Sequence, residues 1–151
     1  MCNFCPKSLV CIEKAISLHS FKLNVQKILR YSIMEKSFIS FVENSIKKNW
    51  DLDALTDYKG ATLQYKDVAR KIEKLHIIFE NSGVVKGDKI AICGRNSSHW
   101  GVVFLATLTY GAVAVPILHE FKADNVHNIV NHSEAKLLFV GDMVWENLNE
   151  A

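Results

Sequence analysis

The segment from Lys89 to Val140 alternates continuous apolar runs with amphipathic runs, and this alternation restricts the possible folds more than any other feature. It predicts strands at Lys89–Cys93, Val113–Val115 and Leu137–Val140, and helices from a cap at Ser97 or Ser98 to Tyr110 and over Lys122–His132. Connections this short require parallel strands joined by right-handed crossovers. Because the strands lack polar alternation, both faces of the sheet should be covered. We therefore predict an α/β fold with a parallel β-α-β-α-β sheet.

Three further elements are predicted before this sheet. The apolar residues of 35–49 recur at helical spacing and indicate an amphipathic helix. Two short extended runs around Lys59-Gly60 indicate a β-hairpin, and a long helix should follow and end at Gly83. The residues concerned are Phe38, Phe41, Val42 and Ile46 for the first helix, Ala54–Tyr58 and Thr62–Gln64 for the hairpin, and Val68, Ile72, Leu75 and Phe79 for the stripe of the helix Tyr65–Ser82. Another helix is predicted over Met143–Leu148.

Residues 1–33 form a leader that differs in composition from the rest of the chain. They carry five basic residues against Glu13 alone, and Glu13 and Lys14 interrupt the apolar stretch that a signal peptide would need. Cys2 and Cys5 have the spacing of half a zinc or redox site, but no second pair of ligands accompanies them. We expect the leader to be disordered or non-native, and Met34 to be the ancestral start.

The run from Trp100 to Leu118 is the longest apolar stretch and is nearly long enough to span a membrane. Gly111 and Pro116 interrupt it, and its second half is β-branched, so a buried helix, a turn and a strand ended by Pro116 explain it better. We expect no transmembrane segment. Peripheral contact with a membrane through the helix at 35–49 stays open as an alternative to packing on its own domain.

Composition and motifs exclude several kinds of site. A net charge of +2 argues against a nucleic-acid binder. The loop Gly94–Ser98 has one glycine of the three in a dinucleotide fingerprint, and Gly83–Lys89 has the wrong order for a phosphate-binding loop. Gly94–Ser98 still follows a strand and opens a helix, with Arg95 adding positive charge, so a ligand contact there stays open.

The remaining reactive side chains form no predicted site. His127 and His132 are five residues apart and should diverge by roughly 140° on a helix, while His119-Glu120 lacks a second histidine. His76 lies beside the apolar stripe of the helix Tyr65–Ser82 and should be partly buried by packing. Cys93 lies in an apolar run and should be a small buried hydrophobe. No catalytic, cofactor-binding or metal-binding residue is predicted.

From Thr62 onward the chain resembles the N-terminal subdomain of AMP-binding, acyl-adenylate-forming enzymes. Five segments in order carry the resemblance: T-L-Q-Y-K-D-V (Thr62–Val68), N-S-G-V-V-K-G-D-K-I-A-I (Asn81–Ile92), N-S-S-H-W (Asn96–Trp100), Y-G-A-V-A-V-P-I (Tyr110–Ile117) and N-H-S-E-A-K-L-L-F-V (Asn131–Val140). The last segment is similar to long-chain fatty-acid CoA ligases. The stretch Ile117–Phe121 departs from the pattern of peptide synthetases and leaves the acyl substrate open.

The resemblance implies a ligase that uses ATP, coenzyme A and Mg²⁺ to convert a fatty acid or another carboxylate to its thioester in the cytoplasm. The family's Ser/Thr/Gly-rich loop with Pro-Lys-Gly, its later acidic motifs and its C-terminal lysine do not occur in these 151 residues. We therefore expect residues 34–151 to be a truncated domain that binds no cofactor and is inactive without the remainder of the ligase.

Two other functions stay open at this point. The chain could be a self-contained, non-catalytic α/β binding module, which would need protected sheet edges and a well-formed pocket. It could also be an interaction domain that reaches a membrane or a partner through its leader or its first helix.

Overall fold

The computed structural model describes residues 38–149, and the elements appear in the predicted order. The leader, the Cys2-x-x-Cys5 motif, Met34 and the start of the first predicted helix lie outside the described residues. The elements are α1 (Phe38–Lys48), β1 (Asp53–Thr56), β2 (Thr62–Gln64), α2 (Tyr65–Asn81), β3 (Lys89–Cys93), α3 (Ser98–Tyr110), β4 (Val113–Ile117), α4 (Ala123–Ser133), β5 (Leu137–Val140) and α5 (Asp142–Asn149).

Strand β3 is the centre of a three-stranded parallel sheet with the order β4-β3-β5. Alternate residues of β3 enter two separate cores. Ile90 packs with residues of α2 and α3, whereas Ala91 and Cys93 pack with residues of α4 and α5. Helices therefore pack on both faces of the central strand, and the predicted parallel β-α-β-α-β arrangement is confirmed.

Full coverage of both faces holds for β3 but not for its neighbours. Ile90, Ala91, Ile92 and Cys93 are each at most 2% exposed, whereas Val113 in β4 is 48% exposed. Within the described residues β4 and β5 each pair with β3 alone, so both are edge strands. The prediction that both faces of every strand are covered was therefore too broad. An edge strand has a neighbouring strand on one side only, so its side chains are more open to solvent.

The prediction that Pro116 ends its strand was wrong. β4 continues to Ile117, with Pro116 opposite Ile92 of β3. A proline costs a sheet one backbone donor, and an edge strand tolerates that loss where the donor would point away from its neighbour. The position of β4 at the edge explains why the strand passes through Pro116.

The long helix α2 forms as predicted and ends as predicted. The backbone N–H of Gln64, just before the helix, donates to Oδ2 of Asp67 at 3.2 Å, and this hydrogen bond caps the first turn. Val68, Ile72 and Phe79 are buried, and Gly83 follows the helix with φ of +70°. That left-handed conformation is the one in which glycine has an advantage over other residues.

Helix α1 packs through only part of its predicted apolar stripe. Ile46 is buried and Val42 packs against the same core, but Phe38 and Phe41 are 58% and 63% exposed. Phe41 and Ile46 are five residues apart, so they point roughly 140° away from each other on the helix. Among the residues described, no helix is long and apolar enough to cross a membrane.

His76 joins α2 to α3 and is more deeply buried than the sequence suggested. It is 5% exposed, and its Nε2 lies 2.9 Å from the carbonyl oxygen of Ala106 and 3.0 Å from Oγ1 of Thr109. Its Nδ1 has no hydrogen-bond partner among the described residues. Burial lowers the pKa of His76, because the charged form loses its hydration.

A first prediction concerns the core around Phe79, which is fully buried and makes edge-to-face contacts with Tyr110 and Phe139. Phe79→Ala should lower the free energy of unfolding by about 3–5 kcal/mol, because it removes apolar contact and leaves a cavity. Urea denaturation followed by circular dichroism measures the change. The matched control Phe41→Ala, on an exposed phenylalanine, should stay within about 0.5 kcal/mol of the parent. Similar losses for the two variants would contradict this core.

A second prediction concerns the pH dependence of folding. The pKa of His76 is lowered in the folded state, so below its ordinary value of about 6.5 the unfolded state binds a proton that the folded state does not. His76 therefore contributes stability above that pH, and the contribution is lost as the pH falls below it.

The measurement is the difference in unfolding free energy between the parent and His76→Gln across this pH range. The buried Glu73 has a raised pKa, which acts on stability in the opposite direction. Because the parent and the variant both contain Glu73, its effect cancels in the difference, and the contribution of His76 remains. The parent should lose stability relative to the variant as the pH falls, and a constant difference would refute the assignment. His127→Gln, on an exposed histidine of α4, is the control.

Candidate functional site

The carboxyl edge of the parallel sheet is where open α/β sheets place ligands, and it is the candidate site here. The strands end at Cys93, Ile117 and Val140, and the loops that follow meet at this edge. The N–H of Gly141 donates to the carbonyl oxygen of Cys93 at 2.9 Å, which ties the loop after β5 to the end of β3.

Helix α3 begins at this edge with the predicted serine cap. Ser97 has extended backbone dihedrals, and its Oγ accepts a hydrogen bond from the N–H of Trp100 at 3.2 Å. This satisfies one of the backbone donors that every helix leaves unpaired in its first turn. The choice between Ser97 and Ser98 as the cap is thereby decided in favour of Ser97.

A second side chain, Asp57, binds the same helix start from the hairpin. The N–H of Ser98 donates to Oδ1 of Asp57 at 2.6 Å, and the hydroxyl of Ser98 donates to Oδ2 at 2.7 Å. These two hydrogen bonds lower the pKa of Asp57, because they stabilise its ionised form. One carboxylate therefore joins the β1–β2 turn to the first turn of α3.

The geometry of the hairpin turn holds Asp57 in position. The N–H of Asp57 donates to the carbonyl oxygen of Ala61 at 3.0 Å, and the N–H of Gly60 donates back to the carbonyl oxygen of Asp57 at 2.9 Å. A Cβ atom at Gly60 would lie 2.9 Å from Cβ of Asp57, too close for any residue with a side chain unless the turn shifts. Glycine at position 60 therefore leaves the space that the aspartate needs.

Asp57 changes the chemical character of the loop Gly94–Ser98. A helix start that offers free N–H groups attracts anions, but here a carboxylate already accepts from Ser98 and adds negative charge. A phosphate placed at the same donors would be repelled and would have to displace Asp57. The loop lies where the sequence placed it, and Asp57 already accepts from the backbone N–H of Ser98 at its end.

No other group of side chains among residues 38–149 has the arrangement of a metal site or of an activated nucleophile. The described part of the chain contains no cluster of three or more histidine, cysteine or acidic side chains that could hold a metal ion. His127 and His132 are exposed on α4, and His119 lies 3.9 Å from the carboxylate of its neighbour Glu120. We therefore derive no chemical step from these residues.

Cys93 is buried at the end of β3, as predicted. It is 1% exposed, and burial raises the pKa of its thiol, because the thiolate loses its hydration. A thiol held in its neutral form is a weak nucleophile. Cys93 therefore belongs to the core shared with α4 and α5.

A third prediction tests the link between the hairpin and α3. Asp57→Asn should lower the denaturant midpoint of folding, because it replaces a charged acceptor pair with one neutral acceptor. The pKa of Asp57 is lowered in the folded state, so its contribution is present above the ordinary aspartate pKa and is lost as the pH falls below it.

Chemical denaturation of the parent and Asp57→Asn, at neutral pH and at progressively lower pH, measures this effect. The gap between the two proteins should close in acid. Asp124→Asn is a control at an exposed aspartate in the first turn of α4. If Asp57→Asn matches that control at neutral pH, the carboxylate does not hold α3.

Comparison with known proteins gives the family. Residues 42–151 match the sequence profile of the family described as AMP-binding enzyme. Long chain acyl-CoA synthetase 3 of Arabidopsis thaliana is 35% identical over 75 residues, which are 50% of this chain and 11% of that protein. The chain spans 18% or less of the length of this and other curated relatives that it matches.

Solved structures agree with the fold. The N-terminal subdomain of NpsA from Klebsiella oxytoca superposes with a TM-score of 0.63 at 22% identity, over 72% of this chain and 28% of that one. A benzoate CoA ligase from Burkholderia xenovorans LB400 gives a TM-score of 0.70 at 16% identity, over 77% of this chain and 24% of the ligase. The parallel sheet, its helices and the profile match over residues 42–151 agree, and the chain belongs to the AMP-binding enzyme family.

Proposed function

We propose that this chain is the framework part of an ATP-dependent acyl-CoA synthetase. In the proposed reaction a carboxylate oxygen attacks the α-phosphate of ATP, which gives an acyl-adenylate and releases pyrophosphate. The thiol of coenzyme A then attacks the acyl carbon, forms the thioester and releases AMP. The observation that carries the proposal is the family match over residues 42–151, together with the order of strands and helices.

The proposed substrate is a fatty acid. Two observations support it: the N-H-S-E-A-K segment at Asn131–Lys136 resembles fatty-acid CoA ligases, and the Arabidopsis relative bears the name long chain acyl-CoA synthetase. The chain length of the acyl group is left open in the proposal. The proposed location is the cytoplasm, where ATP and coenzyme A are available.

We further propose that residues 1–151 do not activate a carboxylate without the rest of the ligase. Adenylation needs donors and Mg²⁺ to stabilise the charge that develops on the phosphates. The residues expected to supply them, including a Pro-Lys-Gly loop, do not occur in this sequence. Helix α3 follows the central strand and begins at the carboxyl edge of the sheet, but its first residue, Ser98, is hydrogen-bonded to Asp57.

A fourth prediction follows for catalysis. Purified residues 1–151 should give no ATP–pyrophosphate exchange above background with fatty acids of several chain lengths, because the phosphate-binding groups are missing. A longer product of the same reading frame that contains the Pro-Lys-Gly loop should give exchange under the same conditions. Exchange by residues 1–151 at the rate of the longer product would refute the proposal.

The alternative of a self-contained binding module can be tested with the same sample. Such a module needs protected edges, whereas β4 and β5 each pair with β3 alone among the described residues. A sharp, cooperative and concentration-independent melt of monomeric residues 1–151, with no exchange activity from any longer product, would favour the module over the ligase.

A further inference from the structure

The hydrogen bonds of His76 determine which of its two ring nitrogens carries a proton. Nε2 lies 2.9 Å from the carbonyl oxygen of Ala106, and a carbonyl oxygen can only accept a hydrogen bond. Nε2 is therefore the N–H donor, and in the neutral imidazole Nδ1 has a bare lone pair. The hydroxyl of Thr109 donates to carbonyl oxygens of its own helix, so at 3.0 Å from Nε2 it also accepts from His76.

A second proton on this imidazole would bind at Nδ1, where the surroundings do not stabilise it. The Nδ1 atom is buried and has no hydrogen-bond partner among the described residues. The rings of Phe79 and Tyr110 pack beside the imidazole, with centroids 6.2 Å and 5.2 Å from its own, and Ile90 and Phe139 add apolar side chains from the strands of the same core. The protonated form would therefore be a buried charge with an unpaired donor, which is costly inside a protein.

No neighbouring charge offsets that cost. Glu73 and Glu80 lie one turn before and one turn after His76 on α2, and α3 contributes the titratable side chain of Tyr110. Glu73 is buried, and its raised pKa favours the neutral acid as the pH falls, whereas Glu80 is exposed to water. Burial is the main cause of the lowered pKa of His76, and no charged side chain contributes to it.

The contacts of His76 with α3 all lie in the last five residues of that helix, Ala106–Tyr110, which we call the end of α3. Gly111 follows with φ of +85° and turns the chain toward β4, and the N–H of Ala112 donates to the carbonyl oxygen of Thr107 at 3.1 Å. The ends of helices open more easily than the centre of a sheet. The end of α3 is therefore the segment that can separate from α2 and let water reach His76.

We propose that His76 fastens the end of α3 to α2 while its imidazole is neutral, and that proton uptake at Nδ1 releases this segment while the central strand β3 stays folded. The imidazolium gains water only when the two helices separate at this point, so the open form binds a proton that the closed form excludes. This pH-sensitive contact differs from an effect on global stability, because a single segment opens. It needs no ligand and is independent of the proposed function.

Amide hydrogen exchange of the full chain, followed by NMR between about pH 8 and pH 5 and corrected for the intrinsic rate at each pH, measures the opening. The Gly111 and Ala112 amides should be less protected than those of β3, and low urea should leave their exchange nearly unchanged, since a local opening exposes little surface. Below about pH 6.5 their protection should fall by up to about tenfold per pH unit, because opening takes up one proton. In His76→Gln the side chain keeps an N–H donor for Ala106 but cannot titrate, so this pH dependence should disappear.

Two further variants identify the titrating group. His127→Gln, on an exposed histidine of α4, should behave as the parent does. Glu73→Gln keeps His76 and should retain the pH dependence at the end of α3. If the dependence is lost in Glu73→Gln and kept in His76→Gln, the glutamate binds the proton and the proposal is overturned.

Three other results would also overturn it. One is protection at Gly111 and Ala112 that does not change with pH. Another is exchange of these amides with the same protection and the same urea dependence as β3, which indicates unfolding of the whole domain. NMR of the imidazole nitrogens of the parent supplies the third, and it applies even where His76→Gln does not fold: at neutral pH His76 should be neutral with its proton on Nε2, and a proton on Nδ1 contradicts the proposal.

Discussion

The described structure depends on the burial of one strand on both of its faces. The side chains of β3 alternate between two cores, and four of its five residues are at most 2% exposed. Burial of this kind requires helices on both faces and strands on both sides, because the apolar surface and the backbone groups must all leave water. The neighbouring strands and the four helices that pack on the sheet can be understood as the elements that make this burial possible.

The second constraint is electrostatic and joins two parts of the fold that are distant in sequence. Asp57 belongs to the hairpin, yet its carboxylate binds the N–H and the hydroxyl of Ser98 at the start of α3. A helix start of this kind, at the carboxyl edge of a parallel sheet, is a common place for an anionic ligand. In this chain the carboxylate of Asp57 occupies that position and joins the hairpin to the start of α3.

Helix α3 is covered differently on its two sides. One side completes the core with α2, where His76 approaches Ala106 and Thr109, and the other side leaves an aromatic pair half-buried. The helix therefore belongs to a stable core on one side and leaves two stacked aromatic rings only partly covered on the other.

The sequence by itself determined the order and type of the elements, because periodicity is local: the runs at Lys89–Cys93 and Leu137–Val140 and the stop at Gly83 all lie where the pattern placed them. The tertiary structure alone decided the rest. Pro116 stays in its strand because β4 lies at the edge, and Phe41 is exposed because α1 packs through another side. Asp57 reaches Ser98 across 41 positions of sequence, and no local pattern encodes such a contact, since it exists only once the chain has folded.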